Sequence, residues 1–355
     1  MPKKIGIITI YDETNYGNRL QNLAVQTCLK NRGYAVKNIV WRYSRFRWLA
    51  KPFWLRFRYW IQRDKISGRS LTFRRFIHRY TPTRYFFNKD RSVPAEICED
   101  YDYFVTGSDQ VWNLDMLRGS LELGIYFLTF ADDRKRVCIS PSIGVATVGD
   151  EDAAWMRQAL KGYRYLSCRE KQGALELSRI TGEACEWLID PTLFVTREEW
   201  QKLLSINSHK RTRPYVFVFF LDGMSEELNL FIRRYAADHY EIINPSDQAS
   251  SWFCIDPSEF VSLLSGAHMV FTDSFHVSAF SINLHVPFYV FNRKKWKTLN
   301  SRIESLCEVF QMSSRYIPEQ KAFTIQEHCD FEEADRQLVT ERKRFSAYLD
   351  KCFEA

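Results

Sequence analysis

The stretch Thr272-Asp-Ser-Phe-His276 contains residues that could carry out acid–base chemistry. An apolar run typical of a strand precedes it, and apolar residues at spacings of three and four predict a helix after it. His276 would then lie in the first turn of a helix, at the carboxyl end of a strand. Backbone N–H groups without helical partners make such a helix start an anion-binding place. An imidazole there could serve as a general acid or base near neutral pH.

A structural interpretation of the same stretch stays open. Ser274 could simply cap the helix, and His276 could pack against its neighbours in an ordinary strand–helix–strand unit. This stretch alone favours neither interpretation, so the other strand ends of the chain have to decide between them.

Two further predicted strands run into polar turns. The strand Lys4–Ile10 is followed by a turn and by a helix that we predict over Arg19–Arg32, and the strand Tyr101–Thr106 is followed by a glycine. Ligands of doubly wound α/β domains bind beyond the carboxyl ends of the strands. We therefore expect binding residues in these loops, with a capped helix start as the alternative. The candidates are Asn15, Tyr16, Gly17, Asn18, Gln21, Ser108, Asp109, Gln110 and Trp112.

Arg169 stands at the end of a short predicted strand, Tyr165–Glu170, ahead of a helix that begins near Gly173. A guanidinium in that position could hold a phosphate or carboxylate through two parallel hydrogen bonds. The alternative is an exposed ion pair with Glu170, which would contribute about 0–1 kcal/mol to stability.

The alternation of strands and helices occurs twice, and it restarts after Glu198 with the apolar strand Pro214–Phe220. This pattern predicts an α/β fold of two Rossmann-like domains that face each other across a cleft. A final charged helix, Glu332–Cys352, is expected to cross back. We predict domains at 1–195 and 196–321 and a C-terminal helical segment at 322–355 that packs toward the first domain. No G-x-G-x-x-G turn follows the first strand, which argues against a dinucleotide cofactor.

The nine cysteines are scattered and include no C-x-x-C pair, which favours reduced thiols in the cytoplasm over a zinc site or disulfides. The first residues do not resemble a signal peptide, and no apolar run is long enough to span a membrane. We expect a cytoplasmic protein.

Residues 41–91 form a basic, aromatic insertion in the first predicted domain. This segment carries 15 Lys and Arg against 2 Asp and Glu, whereas the rest of the chain carries 35 against 41. Its aromatic residues could pack on the domain while its arginines stay in water. It could instead contact the anionic inner face of the plasma membrane. Nucleic acid is the least favoured partner, because no nucleic-acid fold signature accompanies the segment.

Seven short motifs, taken together and in order, resemble the polysaccharide pyruvyl transferase family over some 300 residues. They are Asn15-Tyr-Gly-Asn-Arg-Leu-Gln21, Asp102-Tyr-Phe-Val-Thr-Gly-Ser-Asp-Gln-Val-Trp112, Tyr126-Phe-Leu-Thr-Phe130, Ser167-Cys-Arg-Glu170, Asp190-Pro-Thr-Leu193, Thr272-Asp-Ser-Phe-His276 and Ser301-Arg-Ile303. The resemblance implies a fold like that of the GT-B glycosyltransferases. It also implies transfer of a pyruvyl group from phosphoenolpyruvate to two hydroxyls of a sugar, which forms a cyclic ketal and requires no cofactor.

The resemblance implies roles for named residues as well. His276 is the expected catalytic residue, and Arg169, Asp273 and Ser274 are expected at the donor site. One branch of the family has arginine where this chain has Ser274, and glycine commonly stands where it has Val277. Arg302 or Arg293 could supply the missing charge.

The polar loops of the first domain are the expected site of the acceptor, a lipid-linked saccharide of bacterial surface polysaccharide such as capsule. A GT-B glycosyltransferase that uses a nucleotide sugar is the alternative function.

Overall fold

The structure, a computed structural model, describes residues 1–41, 63–86, 92–118, 123–206, 213–295 and 300–353. The chain divides into two compact units. Unit 1 comprises Met1–Pro191 together with Arg344–Ala355, and unit 2 comprises Thr192–Lys343. The sequence placed the boundary after residue 195 and a separate segment from residue 322.

The strands are short and mostly buried. They are β1 Lys4–Ile8, β2 Ala35–Trp41, β3 Thr83–Phe86, β4 Tyr103–Thr106, β5 Arg136–Cys138, β6 Leu166–Cys168, β7 Cys185–Trp187, β8 Tyr215–Phe219, β9 Glu241–Ile243, β10 Met269–Thr272, β11 Phe288–Phe291 and β12 Tyr316–Ile317.

The helices alternate with the strands. They are α1 Tyr16–Lys30, α2 Arg63–Tyr80, α3 Ala95–Asp100, α4 Leu114–Leu117, α5 Leu123–Tyr126, α6 Asp150–Leu160, α7 Lys171–Thr181, α8 Pro191–Phe194, α9 Arg197–Leu203, α10 Glu226–Ala236, α11 Pro257–Ser265, α12 Phe275–Leu284, α13 Asn300–Val309 and α14 Glu332–Phe353. No described helix combines the length and apolar character that crossing a membrane would require.

Unit 1 is built on a parallel five-stranded sheet in the order β3-β2-β1-β4-β5, with β6 and β7 pairing separately. Strands buried on both faces need near-continuous apolar runs, and β1 supplies one with Ile5, Ile7 and Ile8. The strand order reverses between β1 and β4. In open parallel sheets, that reversal is where ligands bind, outside the carboxyl ends of the strands.

Unit 2 carries a second parallel five-stranded sheet, in the order β12-β11-β10-β8-β9. Its core is largely aromatic, and Phe217, Phe271 and Phe291 are fully buried. Here the strand order reverses between β8 and β10. The predicted fold class of two Rossmann-like α/β domains is thereby confirmed.

The segment 41–91 is only partly an insertion. Residues 42–62 and 87–91 lie outside the described residues. Within the described part, Arg63–Tyr80 forms a helix and Thr83–Phe86 pairs with β2 as the edge strand of the sheet. The sequence interpretation was therefore wrong for β3, which belongs to the Rossmann-like sheet itself.

Helix α14 begins in unit 2 and ends in unit 1. In unit 1 the Tyr348 hydroxyl donates to the Cys138 carbonyl at 2.9 Å. The Arg32 guanidinium donates to the Ser346 hydroxyl at 2.6 Å. Phe345 and Leu349 are completely buried there. The last turns of α14 are thus part of the unit 1 core.

Candidate active site

The loops after β1 and β4 meet at the reversal point of the unit 1 sheet. Asn15 caps α1 by accepting a hydrogen bond from the Asn18 backbone N–H at 3.1 Å. The Asn18 amide then donates to the Asp109 carboxylate, in the loop after β4, at 2.5 Å. The Gln21 amide donates to the Thr9 hydroxyl at 3.1 Å. The structure therefore brings the two predicted acceptor loops into direct contact.

The predicted acceptor residues differ in how far solvent reaches them. Asn15 is exposed, and Gly17, Asp109 and Gln110 are half-buried. The others are buried and contact the protein's own atoms. These are Tyr16, Asn18, Gln21, Ser108 and Trp112. Their contact with an acceptor stays a prediction.

Tyr16 and Trp112 each have an evident packing role. The Tyr16 ring lies 4.9 Å from the Phe73 ring, and the Arg69 guanidinium lies over it at 4.5 Å. The Trp112 indole stacks on Phe127 at 5.4 Å, and its N–H donates to a backbone carbonyl. Both aromatic residues stabilise the loops on which the polar candidates lie.

Arg169 is buried rather than exposed. It follows β6, its side chain is 1% exposed, and its Nη1 donates to the Asp190 carboxylate at 2.8 Å. Its Nε lies 3.5 Å from Glu170. Burial opposes the charge of the guanidinium, but the carboxylates of Asp190, Glu170 and Asp109 outweigh burial and raise the pKa of Arg169.

The Arg169 pair belongs to a polar network beneath the loops at this edge of the sheet. The Ser108 hydroxyl donates to the same Asp190 oxygen at 2.8 Å. The Ser142 hydroxyl donates to Glu170 at 2.5 Å, and the Ser142 backbone N–H donates to the Asp109 carbonyl at 2.8 Å. Loops that follow four different strands are thus joined by buried hydrogen bonds, which are costly to break.

At the reversal point of the unit 2 sheet, Asp273 organises the turn after β10. Its carboxylate accepts hydrogen bonds from the backbone N–H groups of Leu221 at 2.7 Å and Asp222 at 3.1 Å. Those two residues follow β8, so one side chain joins both loops of the crevice. Burial raises the pKa of Asp273 even though these hydrogen bonds and Arg293 favour its charged form. Asp273 therefore has a structural role, because its buried carboxylate holds the turn after β10 against the loop after β8.

His276 stands in the first turn of α12, as the sequence predicts. Ser274 is the N-cap residue, and its side chain accepts from the Val277 backbone N–H at 3.5 Å. His276 is half-buried, and its ring meets the Phe275 ring edge-on at 5.4 Å. First-turn N–H groups and an imidazole thus share one helix start.

Two arginines approach the same turn. The Arg293 Nε donates to the Asp273 carbonyl at 3.3 Å. The buried Arg302 guanidinium lies 5.9 Å from the centre of the Phe275 ring. Asp273, Ser274 and His276 therefore cluster with both candidate arginines within unit 2.

The family model of polysaccharide pyruvyl transferases matches residues 15–295. That range covers most of the chain. It contains the whole unit 2 reversal point and, at the unit 1 reversal point, the residues from Asn15 onward. The chain belongs to the polysaccharide pyruvyl transferase family.

Other comparisons reveal more distant likenesses. No curated protein matches the sequence. A structure from Listeria monocytogenes, provisionally assigned as a UDP-N-acetylglucosamine 2-epimerase, is 11% identical with a TM-score of 0.44, and the match covers 98% of this chain and 97% of that one. The S. aureus MnaA–UDP structure is 11% identical with a TM-score of 0.46, covering 98% of each chain. Nothing about function follows from similarities at this level.

Two residues to which the sequence interpretation gave no role lie within motifs that resemble the pyruvyl transferase family, and both are buried in polar contacts. Asp190 opens one of the family-like motifs, and it is the partner of both Arg169 and Ser108. Arg19 lies inside another motif and is completely buried, with Nη2 donating to the Ile10 carbonyl at 2.7 Å. Their place within matched motifs was the available signal.

Two expectations about this family member stay predictions. Arg169 belongs to unit 1 and His276 to unit 2, so their expected convergence on one donor is untested. Among the described residues, no group of three or more His, Cys, Asp or Glu side chains could hold a metal ion. The expectation of a reaction without a cofactor is likewise untested.

Proposed function

We propose that this protein transfers the pyruvyl group of phosphoenolpyruvate to two hydroxyls of a sugar and forms a cyclic ketal in bacterial surface-polysaccharide biosynthesis. The observation that carries the proposal is the cluster at the start of α12. A pyruvyl transferase needs a binding site for a small, highly charged anion beside a group that can deliver a proton. His276, the first-turn N–H groups and two arginines supply both within unit 2.

The donor carries a carboxylate and a phosphate, and both need positive partners. The N-terminus of α12 provides backbone N–H groups and the positive end of the helix dipole. Arg293 and Arg302 stand beside it. We assign both arginines to donor binding, where they take the place of the arginine that one branch of the family has at the position of Ser274.

The chemistry requires one proton at carbon and one leaving group. His276 in its protonated form delivers a proton to the methylene carbon of phosphoenolpyruvate, which becomes a methyl group. The neighbouring carbon develops oxocarbenium character, and the first sugar hydroxyl adds to it and returns its proton to the now neutral His276. The second hydroxyl then forms the second C–O bond as the bond to phosphate breaks, and its proton leaves with the phosphate. The arginines stabilise the charge of the departing phosphate.

The acceptor belongs to the unit 1 loops in this proposal. Asn15, Gly17, Asp109 and Gln110 have side chains or backbone that solvent reaches, and the buried network beneath them fixes their positions. We propose a lipid-linked saccharide as the acceptor, presented at the inner face of the plasma membrane. The basic segment 41–91 would then contact anionic lipid.

The test is phosphate release from phosphoenolpyruvate in the presence of lipid-linked saccharides, with mass spectrometry of the product. His276→Ala should lower kcat by about 10²–10⁴-fold, the usual loss when a general acid is removed. His239→Ala is the matched control, because His239 is an exposed histidine of the same unit, and it should keep full activity.

Full activity in His276→Ala would overturn the assignment of the proton donor. Calorimetry tests the function as a whole. Binding of a sugar nucleotide, together with no binding of phosphoenolpyruvate, would replace this proposal with a glycosyltransferase.

A further inference from the structure

Unit 1 contains a cavity of about 500 Å³ that none of the predicted acceptor residues lines. It lies at the carboxyl ends of β1 and β2, and residues from α4 and α5 complete its wall. Its volume lies within the range of small-molecule sites, about 300–1,000 Å³. Its position, on the carboxyl side of a parallel sheet, is also where such sites occur.

The cavity wall is mainly apolar and includes aromatic residues. Tyr11, Trp41 and Tyr126 contribute to it, and isoleucine, leucine and valine side chains make up most of the remainder. Aromatic rings give a ligand a flat apolar surface. The C–H face of a pyranose is flat and weakly polar in the same way, so it can bury area against such rings without losing hydrogen bonds.

Polar groups are few and lie close together. Glu13 and Thr9 line the cavity, and the Tyr11 hydroxyl lies 3.5 Å from the Glu13 carboxylate and 2.9 Å from the Tyr85 hydroxyl. Glu13 also forms an ion pair with Arg74 at 2.6 Å, but Arg74 is 64% exposed. An exposed partner neutralises a carboxylate only weakly. Glu13 therefore remains a hydrogen-bond acceptor for a ligand hydroxyl.

These groups discriminate between ligand classes. None of the described residues that line the cavity is lysine or arginine, and a carboxylate repels phosphate, so a nucleotide or diphosphate is a poor occupant. A hydrocarbon chain would displace the water that reaches the Glu13 carboxylate, whose side chain is 20% exposed, and would offer no hydrogen-bond donor in its place, which is costly. An uncharged sugar satisfies both requirements, because it donates hydroxyls to Glu13 and presents a C–H face to the rings.

We propose that this cavity binds an uncharged sugar ring of the acceptor saccharide. The inference rests on the proposed function for the identity of that saccharide, but the binding itself can be measured without any transfer reaction. It gives the acceptor a second contact region in unit 1, next to the polar loops of Asn15 and Asp109.

The binding test uses saturation-transfer NMR and calorimetry on the full chain, with methyl glycosides of glucose, galactose, mannose and N-acetylglucosamine as probes. At least one neutral glycoside should bind. UDP and farnesyl phosphate serve as the competing classes. Binding of either, with no glycoside bound, would overturn the proposal.

Two variants locate the binding. Glu13→Gln should weaken glycoside binding by about 10- to 100-fold, since a hydrogen bond to a charged group is replaced by one to a neutral amide. Ile125→Trp should abolish binding by filling the cavity. Glu96→Gln is the control, because Glu96 is an exposed carboxylate of the same unit outside the cavity, and it should bind as the parent does.

Phosphoenolpyruvate binding separates this inference from the proposed function. All three variants should bind phosphoenolpyruvate like the parent. Glycoside binding that both cavity variants retain would overturn the cavity assignment and leave the pyruvyl transfer intact. Loss of glycoside binding in the cavity variants, in a protein that transfers no pyruvyl group, would support the cavity and reject the function.

Discussion

The surroundings of Arg169 could not be predicted from the sequence. The sequence suggested either an anion-binding arginine or an exposed pair with Glu170. The structure shows a buried cation between Asp190 and Glu170, with Ser108 bonded to the same Asp190 oxygen. Asp190 is 21 residues away along the chain, and no local pattern links it to Arg169. Such long-range pairs lie beyond what spacing and periodicity can predict.

We predict that Arg169→Met destabilises the protein by about 3–5 kcal/mol, because it leaves two buried carboxylates without their cation. Urea unfolding measures this loss. Arg134→Met is the control, since Arg134 is exposed and its replacement should change the free energy of unfolding by about 0.5 kcal/mol or less. Equal stability of both variants would show that the buried pair contributes nothing.

Asp273 leads to a prediction about pH. Its pKa in the folded protein is raised, chiefly by burial, so the folded state holds this proton more tightly than the unfolded chain does. The resulting stabilisation is complete below the ordinary pKa of about 3.9 and is lost as pH rises through the folded pKa. Asp273→Asn cannot ionise. Its single amide oxygen can accept from only one of the Leu221 and Asp222 N–H groups, which bond to different oxygens of the carboxylate, so its overall stability will be lower and only the pH dependence is compared.

The free energy of unfolding of Asp273→Asn should therefore fall less than that of the parent as pH rises above about 4. Denaturant unfolding at a series of pH values measures the difference. Asp238→Asn, which changes an exposed carboxylate of the same unit, should follow the parent. A parallel pH profile for Asp273→Asn and the parent would contradict the assignment.

At the scale of elements, apolar runs predicted most strands well. The predicted strand Pro214–Phe220 is observed at Tyr215–Phe219, and the predicted strand Tyr101–Thr106 is observed at Tyr103–Thr106. The edge strand Thr83–Phe86 was missed. Thr83–Phe86 contains a single buried residue, Phe86, and an exposed Tyr85, so it lacks the apolar run that marks a central strand. Burial on two faces makes a strand visible in sequence, and Thr83–Phe86 lacks that burial.

Substitutions of Ser274, the N-cap residue of α12, can separate its contribution to stability from its effect on donor binding. Ser274→Asp keeps an N-cap oxygen and should preserve stability. Its carboxylate would repel the donor, so we predict a dissociation constant for phosphoenolpyruvate raised by about tenfold or more. Ser274→Ala should instead cost about 0.5–2 kcal/mol of stability and change donor affinity less. Calorimetry and urea unfolding measure the two effects, and unchanged donor affinity in Ser274→Asp would exclude an anion at this helix start.

At the scale of the whole molecule, the two-domain α/β organisation and the family were predicted from ordered motifs and repeated alternation. The domain boundaries were harder to predict from the sequence. The division falls after Pro191 and again after Lys343, inside a continuous helix. A helix gives no sequence signal at the point where its packing partners change, because its propensity and period continue through it.

Helix α14 belongs to both units, and its last turns form part of the core of unit 1. Leu349 is completely buried in unit 1, so Leu349→Ala should destabilise that unit by about 2–5 kcal/mol. Hydrogen exchange should show weaker protection in β1 and β4 and unchanged protection in β8 and β10. Val339→Ala, at an exposed position in the unit 2 part of the helix, is the control. Equal loss of protection in both sheets would indicate a single cooperative unit.

The return of α14 into unit 1 sets an order of events during translation. Unit 2 is contiguous, from Thr192 to Lys343, and every residue it needs has been synthesised before residue 344. Unit 1 began earlier, yet the surface around Cys138 that receives Tyr348 stays open while all of unit 2 is made. On the ribosome, the half of the protein that is made first is thus the last to be completed, and its uncovered apolar surface is where a chaperone would bind the nascent chain.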